Sequence, residues 1–106
     1  MAICHANWIK EQQERVMVSV KRESPDFVLK NATFVNVFSD ELETGDIAIH
    51  NGIIVGIGEY AVTDKTSSMD CSRMVISPGF IDGHIHIESS MLAPSEFAAA
   101  VIPHGT

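Results

Sequence analysis

The sequence has few of the features that mark membrane, secreted or disulfide-built proteins. Its 106 residues contain only two cysteines, Cys4 and Cys71, which lie far apart and outside any metal-type spacing. Two cysteines can form a disulfide, but a reduced, cytoplasmic protein is the simpler interpretation. No apolar run approaches the roughly 20 residues that cross a bilayer, and no basic segment precedes an apolar core at the N-terminus. We therefore expect neither a membrane partner nor a secretory signal.

Basic residues are also scarce. Seven lysines and arginines stand against 14 acidic residues, which gives a formal net charge of -7. Nucleic-acid binding requires basic side chains that neutralise many phosphates, and this chain offers no such surface. The composition therefore disfavours a nucleic-acid partner and leaves a small neutral ligand unrestricted.

The first stretch, residues 1–24, predicts an N-terminal helix. Its apolar residues recur at near-helical spacing, as Ile9, Val16, Met17 and Val20. Ser24-Pro25 is expected to end the helix, because a proline disfavours helical geometry at the residue before it.

The second stretch, residues 25–77, predicts a small β-sandwich-like domain. Asn51-Gly52 lies between two apolar runs and is the strongest hairpin signal, since both residues tolerate a positive φ. Ile47 and Ile49 can share one face of this hairpin, with Ile53, Val55 and Ile57 beside them. Runs rich in β-branched and aromatic residues predict the other strands: Phe27–Leu29, Phe34–Phe38 and Met74–Ile76.

The third stretch, residues 78–106, has the pattern of one βα unit. Phe80–Ile87 predicts a buried strand, and Pro94 suits the first turn of a helix that runs to Val101. One βα unit cannot bury its strand alone, and a complete (β/α)₈ barrel takes about 250 residues. We therefore predict a mainly β fold with flanking α, ending in the first βα unit of an incomplete barrel.

Polar residues alternate along this predicted strand. Asp82, His84, His86 and Glu88 would share one face with Phe80. Two imidazoles and two carboxylates cannot be buried together unless they are paired or bound to a metal. The alternation therefore predicts a metal site on this face.

His84 and His86 are the candidate metal ligands. On an ideal strand their Cα atoms are about 6.6 Å apart, and their rings can reach one cation at about 2.0–2.1 Å. Asp82 or a backbone carbonyl can fix a tautomer from behind the ligands. Against this stands a simpler alternative, because a His-x-His pattern also occurs on solvated strands that bind nothing. The following Ser89 and Ser90 suit a polar substrate-binding loop better than nucleophiles, which need an adjacent base.

Residues 78–86 are similar to the first barrel strand of the amidohydrolase superfamily, and residues 27–76 resemble the small β-domain that precedes it there. Residues 87–92, together with Pro94, Phe97, Val101 and residues 103–106, resemble the adenine deaminase family more narrowly. The resemblance implies a metal-dependent hydrolase that converts adenine to hypoxanthine and ammonia. The implied cofactor is a divalent metal, as a binuclear manganese or iron centre, with zinc as an alternative.

The resemblance also assigns roles to individual residues. His84 and His86 correspond to metal ligands, Glu88 to a catalytic residue in substrate binding or proton transfer, and Asp82 to a partner behind the ligands. Ser89 and Ser90 are placed at the substrate, adenine, and we further expect a homo-oligomer. The family's other ligands lie beyond Thr106, so the 106-residue chain alone is expected to be inactive.

Two other functions stay open at this stage. One is a different amidohydrolase, of the cyclic amidase or deacetylase type. The other is a non-catalytic β-domain that binds a partner or dimerises, with the two histidines idle.

Overall fold

The computed structural model describes residues 2–106, with side chains described from residue 7 onward. Met1 and the thiol of Cys4 lie outside this description, whereas Cys71 is a buried free thiol. The chain divides into two compact units, at Ile76 and Ser77. The first unit contains helix α1 and five strands: α1 Ala2–Ser19, β1 Phe27–Asn36, β2 Glu41–His50, β3 Ile53–Gly58, β4 Ser67–Asp70 and β5 Val75–Ile76. The second contains helix α2, Pro94–Val101, and the 3₁₀ turns Ile87–Ser90 and Ile102–His104.

Helix α1 ends earlier than the sequence predicts. Lys21 adopts a left-handed conformation with φ of 62°, and its N–H donates to the Val18 carbonyl. The N–H of Arg22 donates to the Met17 carbonyl. These two bonds form a Schellman cap, which satisfies the last carbonyls of the helix. The helix therefore stops at Ser19 by its own capping, and the expectation that Ser24-Pro25 ends it was wrong.

The five strands form one mixed sheet in the order β3-β2-β1-β4, with β5 also paired to β1. The pairs β1–β2 and β2–β3 are antiparallel, whereas β4 and β5 run parallel to β1. This single sheet corrects the expectation of a sandwich-like unit. The reason is the length of β1, which joins the two predicted runs into one strand of 10 residues. Its free edge accommodates β4 at one end and β5 at the other.

The hairpin at Asn51-Gly52 is confirmed. Both residues have positive φ, 50° and 71°, as a type I′ turn requires. The register then shifts, because Ala48 pairs with Gly56 while Ile49 pairs with Ile54. Val55 is the extra residue of this bulge and packs against Val28, Ala48 and Tyr60. The predicted single face of β3 was therefore wrong, since a bulge breaks the alternation of side chains.

A second bulge lies in β1, where Lys30 and Asn31 stand opposite Asp46 of β2. Asn31 has a φ of 55°. The Asp46 carboxylate is buried and accepts hydrogen bonds from the N–H groups of Asn31 and Tyr60, at 3.1 and 2.9 Å. It also contacts the Lys30 ammonium at 2.5 Å. Asp46 therefore holds the irregular part of the sheet in place.

Gly56 makes room for Tyr60. A Cβ atom at Gly56 would overlap the Tyr60 hydroxyl and lie 2.9 Å from its Cζ. That hydroxyl donates to the Ser19 carbonyl at the end of α1, at 3.3 Å. The absence of a side chain at Gly56 thus permits the contact between the sheet and α1.

Gly56→Ala is expected to destabilise the first unit by about 1–3 kcal/mol, the usual cost of overpacking a well-filled site. Urea denaturation measures the change. Gly45→Ala in β2 is the matched control, because a Cβ there meets Ile57 at an ordinary contact distance of 3.5 Å. Equal unfolding midpoints for the two variants would contradict the placement of Tyr60.

In the second unit, α2 begins at Pro94 and ends at Val101 as predicted. The strand predicted over Phe80–Ile87 is absent, and this was wrong. A strand needs a neighbour for its backbone N–H and C=O groups, and no strand occurs among residues 77–106. The Phe80 N–H instead donates to the Gly105 carbonyl, and Ile81 is 92% exposed. Across the part of the chain described, no helix is both long and apolar enough to span a membrane.

Candidate metal centre

The segment from Asp82 to Glu88 keeps its alternating residues in contact although it is not a strand. An Asp82 carboxylate oxygen accepts a hydrogen bond from the backbone N–H of His84 at 3.1 Å. This contact is an Asx turn, a local bond that aspartate forms with the backbone two residues on. It fixes the chain direction immediately before the first histidine.

The rings of His84 and His86 face one another. Their Nε2 atoms are 3.0 Å apart, the ring centroids are 5.0 Å apart, and the planes are tilted by 54°. Two nitrogen ligands that each lie about 2.0–2.1 Å from one cation, with an angle of roughly 90° between them at the cation, are also about 3 Å apart. The two histidine nitrogens therefore have a separation that suits binding to a single metal ion.

Glu88 approaches the other side of His86. Its Oε1 lies 2.8 Å from His86 Nδ1. The 3₁₀ turn Ile87–Ser90 brings them together, since it folds the chain back so that the Ser89 N–H donates to the His86 carbonyl. The expected tautomer-fixing carboxylate was Asp82, whereas the structure places Glu88 on the ring and Asp82 on the backbone.

The two serines lie in the same turn. Ser90 Oγ donates to the Ile87 carbonyl at 2.6 Å and accepts from the Leu92 N–H at 3.3 Å. Its hydroxyl therefore stabilises the loop that carries Glu88. Ser89 takes part through its backbone N–H.

The two histidines do not complete a coordination shell by themselves. Within the described residues, no group of three or more His, Cys, Asp or Glu side chains is placed to hold a metal ion. The side chains of His86 and Glu88 are 64% and 74% exposed. Imidazole nitrogens suit iron and zinc, whereas manganese prefers oxygen ligands. The donor set fits part of a metal site, and a complete site would require further ligands.

His50 lies in the first unit and takes no part in this pair. Its Nδ1 is 3.0 Å from Asp26 Oδ1, and its Nε2 is 4.0 Å from Glu14 Oε2. These contacts connect the end of β2 to α1 and to the residue before β1. His50 therefore has a structural environment distinct from that of the two exposed histidines.

Comparison with known proteins identifies the relatives of this sequence. No family model matches the chain. Adenine deaminases of Listeria welshimeri and Listeria innocua are 50% and 52% identical to it over 97 residues, which is 92% of the chain. The adenine deaminase of Bacillus subtilis is 50% identical over 91 residues, or 86% of the chain. The chain is homologous to adenine deaminases.

The homology covers the candidate site but only a small part of these enzymes. A match of 97 residues within a chain of 106 includes His84, His86 and Glu88 wherever it begins. The chain spans only 16% of the length of the two Listeria adenine deaminases, consistent with an N-terminal portion. A crystal structure of a Bacillus thuringiensis protein is 31% identical, with a TM-score of 0.45, over 59% of this chain and 90% of that one.

Proposed function

We propose that the chain is the N-terminal part of an adenine deaminase, which in its full-length form hydrolyses adenine to hypoxanthine and ammonia. The observation that carries the proposal is the 3.0 Å approach of His84 Nε2 to His86 Nε2 within a stretch homologous to adenine deaminases. Because these relatives are named adenine deaminases, they support adenine as the substrate rather than the cyclic amides and acetyl groups that other amidohydrolases act on. The converging imidazoles favour a metal-binding enzyme over a β-domain whose two histidines are idle.

Each residue of the site has a separate task in this proposal. His84 and His86 supply ligands to a divalent metal, of binuclear manganese or iron type or zinc. When bound, such a metal lowers the pKa of water and supplies hydroxide at neutral pH. Glu88 holds the ring of His86, and Asp82 holds the backbone at His84. In the overall reaction water adds at C6 of adenine and ammonia leaves.

The short span of the match limits the activity that we expect of this chain alone. Because it corresponds to 16% of the length of its relatives, we infer that the remaining ligands and the substrate pocket lie in the part of an adenine deaminase that the match does not cover. We therefore expect no turnover from residues 1–106 by themselves.

The test is an assay of the longest polypeptide encoded by the reading frame, purified with manganese and supplied separately with adenine and a cyclic amide. Conversion of adenine to hypoxanthine, with no product from the cyclic amide, is the expected result. The 106-residue chain at equal concentration is the control and should give no hypoxanthine. Hydrolysis of the cyclic amide with adenine untouched would replace this proposal with the amidase alternative.

A further inference from the structure

The contacts around His86 determine which of its nitrogens carries a proton. A carboxylate only accepts hydrogen bonds, so the 2.8 Å contact between Glu88 Oε1 and His86 Nδ1 requires a proton on Nδ1. In a neutral imidazole the other nitrogen, Nε2, is then an acceptor with a free lone pair. This is the nitrogen that faces His84.

The same reasoning fixes the proton of His84. Its Nε2 lies 3.0 Å from His86 Nε2, and in a metal-free pair of neutral rings one of these two nitrogens donates to the other. Because His86 Nε2 is already the acceptor, the hydrogen belongs to His84 Nε2. The two rings therefore differ in tautomer although they are two residues apart on one segment.

We infer that Glu88 is a positioning residue that holds His86 in the metal-binding tautomer, while His84 must move its proton from Nε2 to Nδ1 before both rings bind one cation. The metal-binding part of this inference rests on the proposed function. A carboxylate that accepts a hydrogen bond from the far nitrogen of a ligand histidine typically raises metal affinity 10- to 100-fold. The side chains of His86 and Glu88 are both mostly exposed. Water therefore competes for their contact, and we expect an effect at the lower end of that range.

Nitrogen NMR of the 106-residue chain, labelled at histidine and free of metal, tests the assignment directly. We expect a proton on Nδ1 of His86 and on Nε2 of His84. In Glu88→Ala, His86 should become a mixture of tautomers. Glu88→Gln should keep the Nδ1 proton, because the amide oxygen still accepts the same hydrogen bond. Glu96→Ala, which removes a carboxylate from the first turn of α2, should leave both rings unchanged.

A titration with Zn²⁺ alone gives the second readout. Glu88→Ala should bind it about tenfold more weakly than the parent chain, whereas Glu88→Gln should lose less and Glu96→Ala nothing. Zn²⁺ should also move the His84 proton to Nδ1. The amide signals of α2 report whether a variant keeps its fold, and Glu88→Met replaces Glu88→Ala if those signals move.

An unchanged His86 tautomer in Glu88→Ala, which lacks the acceptor, would overturn the inference. This outcome is separate from the fate of the proposed function. If the expected tautomers are found but the full-length protein leaves adenine untouched, only the deaminase proposal is refuted. If the full-length protein deaminates adenine but His86 has the same tautomer in Glu88→Ala and Glu88→Gln, only the role of Glu88 is refuted.

Discussion

Alanine at either His84 or His86 is expected to abolish adenine deamination by the full-length protein, with a loss on the order of 10³-fold or more. The physical reason is that each ring supplies one of two nitrogens that approach within 3.0 Å. With one nitrogen removed, the metal loses one of its ligands and is held more weakly. Water is then not activated at neutral pH, and metal content should fall together with turnover.

Three measurements make this result specific: turnover, metal per polypeptide, and the circular dichroism of each variant. His50→Ala is the matched control, since it removes a histidine from the first unit that contacts Asp26 and Glu14. It should leave the metal content unchanged whatever it does to stability. Full metal content and full activity in His84→Ala would show that the two rings meet without serving as ligands.

The sequence predicted elements whose signals are local. The hairpin followed from Asn51-Gly52, because turn residues with positive φ act on their immediate neighbours. Helix α2 followed from Pro94 in the same way. Strand β4, Ser67–Asp70, was not predicted, since its residues Ser-Ser-Met-Asp show no apolar alternation. It is a strand because it pairs with Phe27–Lys30 of β1, a partner about 40 residues away along the chain.

The same dependence on partners explains the wrong strand over Phe80–Ile87. The alternating polar and apolar residues of this segment suit a strand, but a strand forms only where a second segment pairs with it. Residues 77–106 contain no such second segment. The contact between the histidines was nevertheless predictable, because residues two apart remain neighbours in an extended chain. The position of Glu88 was not, since it depends on the 3₁₀ turn that follows His86. The metal, the substrate and the oligomeric state stay predictions.

The position of Asp46 in the sequence was a signal for an irregular part of the sheet. It directly precedes the apolar residues Ile47, Ala48 and Ile49 within β2, and a buried carboxylate requires partners. Its partners come from the bulge at Lys30 and Asn31 and from the N–H of Tyr60. The residue pattern of β1 does not predict that bulge. The polar residue therefore signalled an irregularity in the sheet without indicating on which strand it lies.

Asp46→Ala is expected to destabilise the first unit by about 3 kcal/mol, because it leaves the Lys30 ammonium and the N–H groups of Asn31 and Tyr60 without their acceptor. Burial raises the pKa of Asp46, but the hydrogen bond from Lys30, those from the Tyr60 and Asn31 N–H groups, and the Lys30 charge together lower it below the ordinary value. A carboxyl with a lowered pKa stabilises the folded state above its unfolded pKa of about 3.9. That stability is lost as the pH falls through the folded pKa.

Urea denaturation between pH 7 and pH 2 measures both effects. The parent chain should lose stability in the acid range, whereas Asp46→Asn should be less stable at pH 7 and lose less on acidification. The pKa of Asp70 is also lowered, by hydrogen bonds from the side chain of Asn31 and from Ser72, so the difference between the two curves isolates Asp46. Asp64→Asn, an exposed change, is the control and should follow the parent. Parallel curves for the parent and Asp46→Asn would mean that the charge of the Asp46 carboxylate contributes no stability to the first unit.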